Sequence, residues 1–250
     1  MSTWVLLRGL TRESRHWGGF VATLREHLPD ANVVTFDLPG NGRLNALRSL
    51  RSVDEMAAFC RAELRHRGLP PPYHLLAMSL GAMVAVAWAQ RHPQELAGCV
   101  LINTSLRAFS PFIHRLRPAS AATLVKLMLF ARSDRQWEEA ILRLTTHHAG
   151  AGVIDEWLEL RRERPVSRTN ALRQLWAAAR FSALPARPTP PMLVLASTND
   201  ALVDPRCSRQ LASRWGAALA EHASAGHDLP LDDGPWVAQR VRDWLLATSR

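Results

Sequence analysis

The run His74-Leu75-Leu76-Ala77-Met78-Ser79-Leu80-Gly81-Ala82-Met83 decides how this chain is read. A short apolar segment of strand length precedes Ser79. After Gly81 comes an alanine-rich apolar stretch, Ala82, Val84, Ala85, Val86, Ala87, Trp88 and Ala89, patterned as a buried helix. A serine at the joint of a buried strand and a buried helix sits on a tight turn. Its hydroxyl points away from both elements, with the helix N-terminus beneath it. Small residues at 77 and 81 let strand and helix approach closely. This is the context of a G-x-S-x-G elbow, with Ala77 in the first glycine position. A serine capping an ordinary helix would read the same way on this stretch alone, so partners must be found elsewhere in the chain.

Working outward, the first half alternates strand and helix signals. Strands are predicted at 4–7, 33–36, 73–78 and 99–103. Helices are predicted at 15–28, 53–64 and 82–90, the second opened by Ser52 and Asp54. Alternation of this kind implies a mostly parallel sheet covered by helices on both faces. From 106 to 185 the pattern turns helical throughout, with apolar residues at helical spacing and breakers at Gly150, Gly152 and Pro165. We read this as an all-helical cap inserted into a core formed by 1–105 and 186–250. The alternation resumes with a strand at 192–196, a helix near 208–215, a weak strand at 218–222 and a closing helix from 235 to 246.

Two further residues fit the serine. Asp200 lies four residues past the end of the 192–196 strand, and in an open parallel sheet sites form at the carboxyl ends of strands. Asp204 competes, although its place before Pro205 suits a helix start. His227 lies in Ser224-Ala225-Gly226-His227-Asp228-Leu229-Pro230, a loop between the last strand and the last helix. The order serine, acid, histidine is one of the known triad topologies.

With these residues in place, the chain resembles the α/β-hydrolase superfamily along nearly its whole length. The segment from Trp4 to Leu10 resembles the family's first strand and oxyanion loop. Asp37-Leu38-Pro39-Gly40-Asn41-Gly42 is similar to its D-x-P-G-x-G loop. Two departures are visible: Arg8 stands where the family usually has histidine, and Ala77 replaces the first elbow glycine. The length and cap resemble small bacterial carboxylesterases, including the type that removes a methyl ester from a carrier-bound acid. The resemblance implies Ser79 as nucleophile, Asp200 and His227 as its partners, and the backbone N–H groups of Leu10 and Leu80 as an oxyanion hole. It implies cleavage of a small-molecule ester; thioester, lyase or carbon–carbon cleavage would use the same groups, and a non-catalytic binding protein on the same scaffold would need none of the three together. No cofactor or metal is called for. Arg8, Phe109, Phe112, Trp137 and Trp157 are candidate substrate contacts.

Composition narrows the partners. The 250 residues carry a net charge of +9, and only Lys126 among the 31 basic residues is a lysine. No RNP, zinc or helix-turn-helix pattern accompanies the charge, so nucleic acid is not expected. No apolar run is long enough to span a bilayer, so no membrane partner is expected either. The region 106–185 holds thirteen cationic and seven acidic residues, which suits an acidic acyl carrier partner. Cys60, Cys99 and Cys207 have no metal spacing and read as buried free thiols, which fits a reducing cytoplasm.

Overall fold

The computed structural model describes residues 2–150 and 152–248. Among them, six strands form one wholly parallel sheet in the order β2-β1-β3-β4-β5-β6. The strands are β1 (Ser2–Leu7), β2 (Ala31–Thr35), β3 (Tyr73–Met78), β4 (Leu96–Ile102), β5 (Met192–Ser197) and β6 (Ala218–His222). Helices α1 (Phe20–His27), α2 (Val53–His66), α3 (Leu80–Arg91), α9 (Arg206–Trp215) and α11 (Gly234–Thr248) cover its faces. Between β4 and β5 the chain runs through α4 (Phe112–Arg115), α5 (Pro118–Phe130), α6 (Asp134–Thr145), α7 (Val153–Glu163) and α8 (Arg168–Arg180); the single turn α10 (Leu229–Asp232) precedes α11.

Side-chain alternation along the strands divides the core in two. Val5, Leu7, Leu75, Ala77, Cys99, Leu101 and Val194 pack on one face with α2, α3 and α9. Trp4, Leu6, Leu76, Met78, Val100, Ile102 and Leu195 pack on the other with residues of α1 and α11. The strands are apolar on both faces because both are covered, as a parallel sheet requires. Each fully buried Leu, Ile or Val contributes about 1.5–3 kcal/mol relative to exposure. The three cysteines are buried and unpaired, and burial pushes each thiol's pKa up, that of Cys99 to about 12.

Some elements differ from the sequence expectation. The helix expected over 15–28 is a 3-10 turn at Ser14–Trp17 followed by α1, because Gly18 takes φ 50° between them. Trp17, Phe20 and Leu24 still reach one core, so the apolar spacing survives the break. The loop expected around Pro230 holds α10, with proline in its first turn where a missing N–H costs nothing. Helix α3 starts at Leu80, two residues earlier than expected, and ten consecutive residues from Leu80 to Ala89 are buried.

Gly81 is a tight point of the fold walled by backbone. A Cβ there would run into the backbone carbonyls of Leu7 and Arg8. These are backbone atoms at the end of a central strand and cannot step aside cheaply. Gly81→Ala should therefore destabilise the fold by about 1–3 kcal/mol, read as a lower urea midpoint at unchanged m-value. The open position Gly150 should accept alanine without such a loss.

Candidate active site

All three non-glycine residues with positive φ among the described residues stand at the carboxyl edge of the sheet: Thr11 (59°) after β1, Ser79 (54°) after β3 and Asn103 (44°) after β4. Backbone in this region costs a side-chain-bearing residue about 1–3 kcal/mol, and such strain collects at functional sites. Each of the three is held in place by hydrogen bonds.

Ser79 joins β3 to α3 at φ 54°, ψ −116°. Its N–H donates to the Ile102 carbonyl (2.9 Å), and its carbonyl accepts from Thr104 Oγ1 (3.0 Å). Met78 and Leu80 are buried, whereas Ser79 is partly exposed. Gly9 lies against its side chain: a Cβ on Gly9 would stand 3.3 Å from Ser79 Cβ. Leu80 is the first residue of α3, so its N–H has no intrahelical acceptor. The Leu10 N–H, in the loop after β1, donates to no acceptor among the described residues.

His227 and Asp200 meet at the same edge. His227 Nδ1 lies 2.7 Å from Asp200 Oδ2, and the two residues are 3% and 1% exposed. The carboxylate fixes the proton on Nδ1 and leaves the Nε2 lone pair to act. The other oxygen, Asp200 Oδ1, accepts from the N–H groups of Leu202 (2.8 Å) and Val203 (2.9 Å). Asp204, the competing acid, is engaged elsewhere. It accepts from Arg206 N (2.9 Å) at the start of α9 and pairs with the Arg206 guanidinium, which holds its pKa down at about 2.

Asn103 ties the two halves together. Its Nδ2 donates to the His227 carbonyl (2.8 Å) and Ser197 Oγ (3.0 Å), and its Oδ1 accepts from Ser197 N (2.8 Å). Residues 102–104 thus fix Ser79 on one side and the His227 loop on the other. Sequence reading missed Asn103; its position directly after a buried strand was the available signal.

Arg8 is turned into the protein. It is 5% exposed and clamps Asp228 with two hydrogen bonds, of 3.0 and 2.5 Å. Its guanidinium touches Met78 Sδ (3.7 Å) and lies over Trp17 (4.8 Å). Arg8 therefore joins the loop after β1 to the residue before Ser79 and the residue after His227. The guanidinium proposed as a substrate contact is thus engaged within the protein.

The other candidate contacts scatter. Phe112 is 58% exposed, and Phe109 packs edge-on against Trp215. Trp157 is buried beneath the Arg12 guanidinium, 3.9 Å from its ring centre. Trp137 alone lines a cavity of about 270 Å³, together with Met128, Arg132, Arg161, Arg168 and Thr11. Through Thr11 this cavity abuts the loop that carries Leu10.

That loop is gripped by the β4–β5 helices. Thr11 N–H donates to Gln174 Oε1 (2.8 Å), and Gln174, with no exposure, donates in turn to Asn41 Oδ1 (2.7 Å) and Ser49 Oγ (2.9 Å). Arg12 pairs with the buried Glu138 of α6 (2.8 Å). Asn170 and Gln174, four residues apart, form a polar pair on the inward face of α8.

Comparison with known proteins agrees with this architecture. A family model described as Alpha/beta hydrolase family matches residues 4–240. A RutD protein of Caulobacter segnis, whose name assigns it to carbamate hydrolysis, is 29% identical over 92% of this chain and 85% of its own. A pimeloyl-[acyl-carrier protein] methyl ester esterase of Chromobacterium violaceum is 34% identical over 36% of this chain and 34% of its own. The solved structure of a thermophilic esterase from Thermogutta terrifontis superposes with a TM-score of 0.74 at 22% identity, over 99% of this chain and 90% of that one. At that identity the superposition shows the fold. The chain belongs to the α/β-hydrolase family.

Two outcomes follow from the buried charges. Arg8→Met should destabilise the fold by about 3–5 kcal/mol, because it leaves Asp228 buried and unpaired. Adding Asp228→Leu should recover most of that loss in urea denaturation. His16, beside Arg8 and Arg12, has its pKa pushed well below 6.5 by burial and by those two cations. The unfolded chain therefore binds a proton that folded His16 refuses. Stability is full above about pH 6.5 and falls as pH drops below it, by at most about 1.4 kcal/mol per pH unit. His16→Gln should show a shallower decline than the parent when urea midpoints are compared across that range.

Proposed function

We propose that this α/β-hydrolase cleaves carboxylic esters through an acyl-enzyme formed on Ser79. The observation that carries the reading is the buried 2.7 Å contact of His227 Nδ1 with Asp200 Oδ2 at the sheet edge where Ser79 turns. A serine hydroxyl is a weak nucleophile until a base removes its proton. His227 Nε2 takes that proton as Ser79 Oγ attacks the ester carbonyl carbon. Asp200 holds the ring's orientation and stabilises the imidazolium. The carbonyl oxygen becomes an oxyanion and is met by the N–H groups of Leu80 and Leu10. One such donor is worth roughly 3 kcal/mol of barrier. Collapse breaks the carbon–oxygen bond, and the proton on His227 passes to the departing alcohol. His227 then deprotonates a water, which attacks the acyl carbonyl, and Ser79 recovers its proton as the acid leaves.

One observation favours a substrate with an anionic acyl group or an acidic carrier. Arg132 and Arg168 line the cavity beside Thr11, are exposed, and form no ion pair among the described residues. Arg161 in the same wall is already engaged by Asp134 and Glu138. The relatives' names, carbamate hydrolysis and removal of a carrier-bound methyl ester, fall within the same acyl-transfer chemistry.

The test is a panel of p-nitrophenyl esters, carbamates and acyl thioesters, together with a fluorophosphonate probe. The parent should turn over esters and label once, at Ser79. Ser79→Ala should abolish both while keeping the fold. Asp200→Asn should lower kcat by about four orders of magnitude through loss of tautomer control, and Asp204→Asn far less. Labelling at a different serine, or none in a folded protein, would reject the assignment.

A further inference from the structure

Helix α5, Pro-Ala-Ser-Ala-Ala-Thr-Leu-Val-Lys-Leu-Met-Leu-Phe, is apolar but for Ser120, Thr123 and Lys126. A helix of that composition belongs in a core. In this protein only Ser120 of α5 is buried. Val125, Leu129 and Phe130 are 57%, 67% and 68% exposed, and Phe112 and Ile113 on the adjoining α4 are 58% and 59% exposed. Five large apolar side chains left exposed on two successive helices mark a candidate interaction site.

Charge decides what covers it. From Leu106 to Ser133 the chain has no Asp or Glu and five Lys or Arg residues. Arg115 is turned inward onto carbonyls of α8, and Arg117 faces Asp200 and Asp204. Arg107, Lys126 and Arg132 remain exposed and form no ion pair among the described residues. Lys126, the one lysine of the chain, lies on α5 itself, beside Val125 and Leu129. A second copy is disfavoured: a two-fold interface would set this face against itself and bring its cations together. An acidic protein would take the cations but leave five large apolar side chains against a polar surface. Apolar side chains with a cationic rim match the interface of a bilayer carrying anionic headgroups.

We propose that α4 and α5 dock the protein, peripherally and reversibly, onto an anionic lipid bilayer. This departs from the expectation of no membrane partner, which rested on the lack of a spanning segment. Among the described residues no helix is long and apolar enough to cross a membrane, and docking needs none. The long lysine stem lies along the apolar face while its ammonium reaches the headgroups.

The experiment is co-sedimentation of the full chain with phosphatidylglycerol-containing vesicles and with pure phosphatidylcholine vesicles. The protein should sediment with the first, hardly with the second, and less as salt rises. Lys126→Gln should weaken binding about fivefold. Leu129→Ser should weaken it about tenfold or more. Both should keep the parent's thermal midpoint and its turnover of a soluble ester, which separates this reading from the assignment of Ser79. Equal sedimentation with both vesicle types, sedimentation with neither, or no effect of Leu129→Ser would overturn the proposal. A dimer in light scattering that Leu129→Ser disperses would assign the face to a second copy instead. Tight binding of an acyl carrier protein that Lys126→Gln weakens and Leu129→Ser does not would assign it to an acidic protein.

Discussion

The reversal at Ser79 constrains everything around it. Strand β3 lies in the middle of the sheet, and α3 folds straight back over it as the most deeply buried helix of the core. At its first turn α3 also presses on the end of β1, because Gly81 leaves room for the Leu7 and Arg8 carbonyls. The serine then has no choice of backbone region, and its positive φ is the consequence. That strain is offset by the burial of the α3 side chains and by hydrogen bonds to Ile102 and Thr104. With the turn imposed, the hydroxyl stands off the carboxyl edge, and the loops after β1, β4, β5 and β6 have to be arranged around it.

The scaffold was legible because it is written in local periodicity. β3 and β6 have the bounds expected of them, and the remaining strands and larger helices fall within a few residues. Ser79, Asp200 and His227 could be singled out because each follows a strand, which is a local signal. What could not be read are contacts between polar groups far apart in the chain. Arg8 and Asp228 are separated by 220 positions, Thr11 and Gln174 by 163, and Asn103 and His227 by 124. Nothing in the composition around Arg8 distinguishes a ligand-facing guanidinium from one clamped on a buried carboxylate. Exposure of α5 was also illegible: its pattern is that of a core helix, and only its surroundings show that no core receives it.

Arginine at position 8 makes sense once Asp228 is in view. A buried Asp228 without a cationic partner would stand as an unpaired charge, at a cost of several kcal/mol. The planar, permanently charged guanidinium answers both oxygens at once, and its flat face lies over Trp17. Lysine could neutralise the charge but could not reach two oxygens in one plane. The pair thereby fixes the loop bearing Leu10 against the loop bearing His227, two segments that share no strand contact.

The helices between β4 and β5 hold the same loop from its other side, and they do so unevenly. Helix α8 is pinned by buried polar contacts: Gln174 to Thr11, Asn41 and Ser49, and Asn170 to Ser49 and Leu47. Leaving any one of these groups buried without a partner costs about 1–3 kcal/mol. Helix α5 has far less to lose. Among the described residues its side-chain hydrogen bonding to the core reduces to Ser120 Oγ on the Ala201 carbonyl, preceded by Arg117 N–H on the Leu202 carbonyl. Both anchor its N-terminal end, while Leu129 and Phe130 at the far end meet solvent. The segment therefore has a fixed edge at α8, continuous with the loop that carries Leu10, and a lightly held edge at α5. The Thr11 N–H is held by Gln174, so the loop that carries Leu10 is tied to α8, whereas α5 meets the other side of the edge, where Arg117 N–H and Ser120 Oγ hold the Leu202 and Ala201 carbonyls next to Asp200.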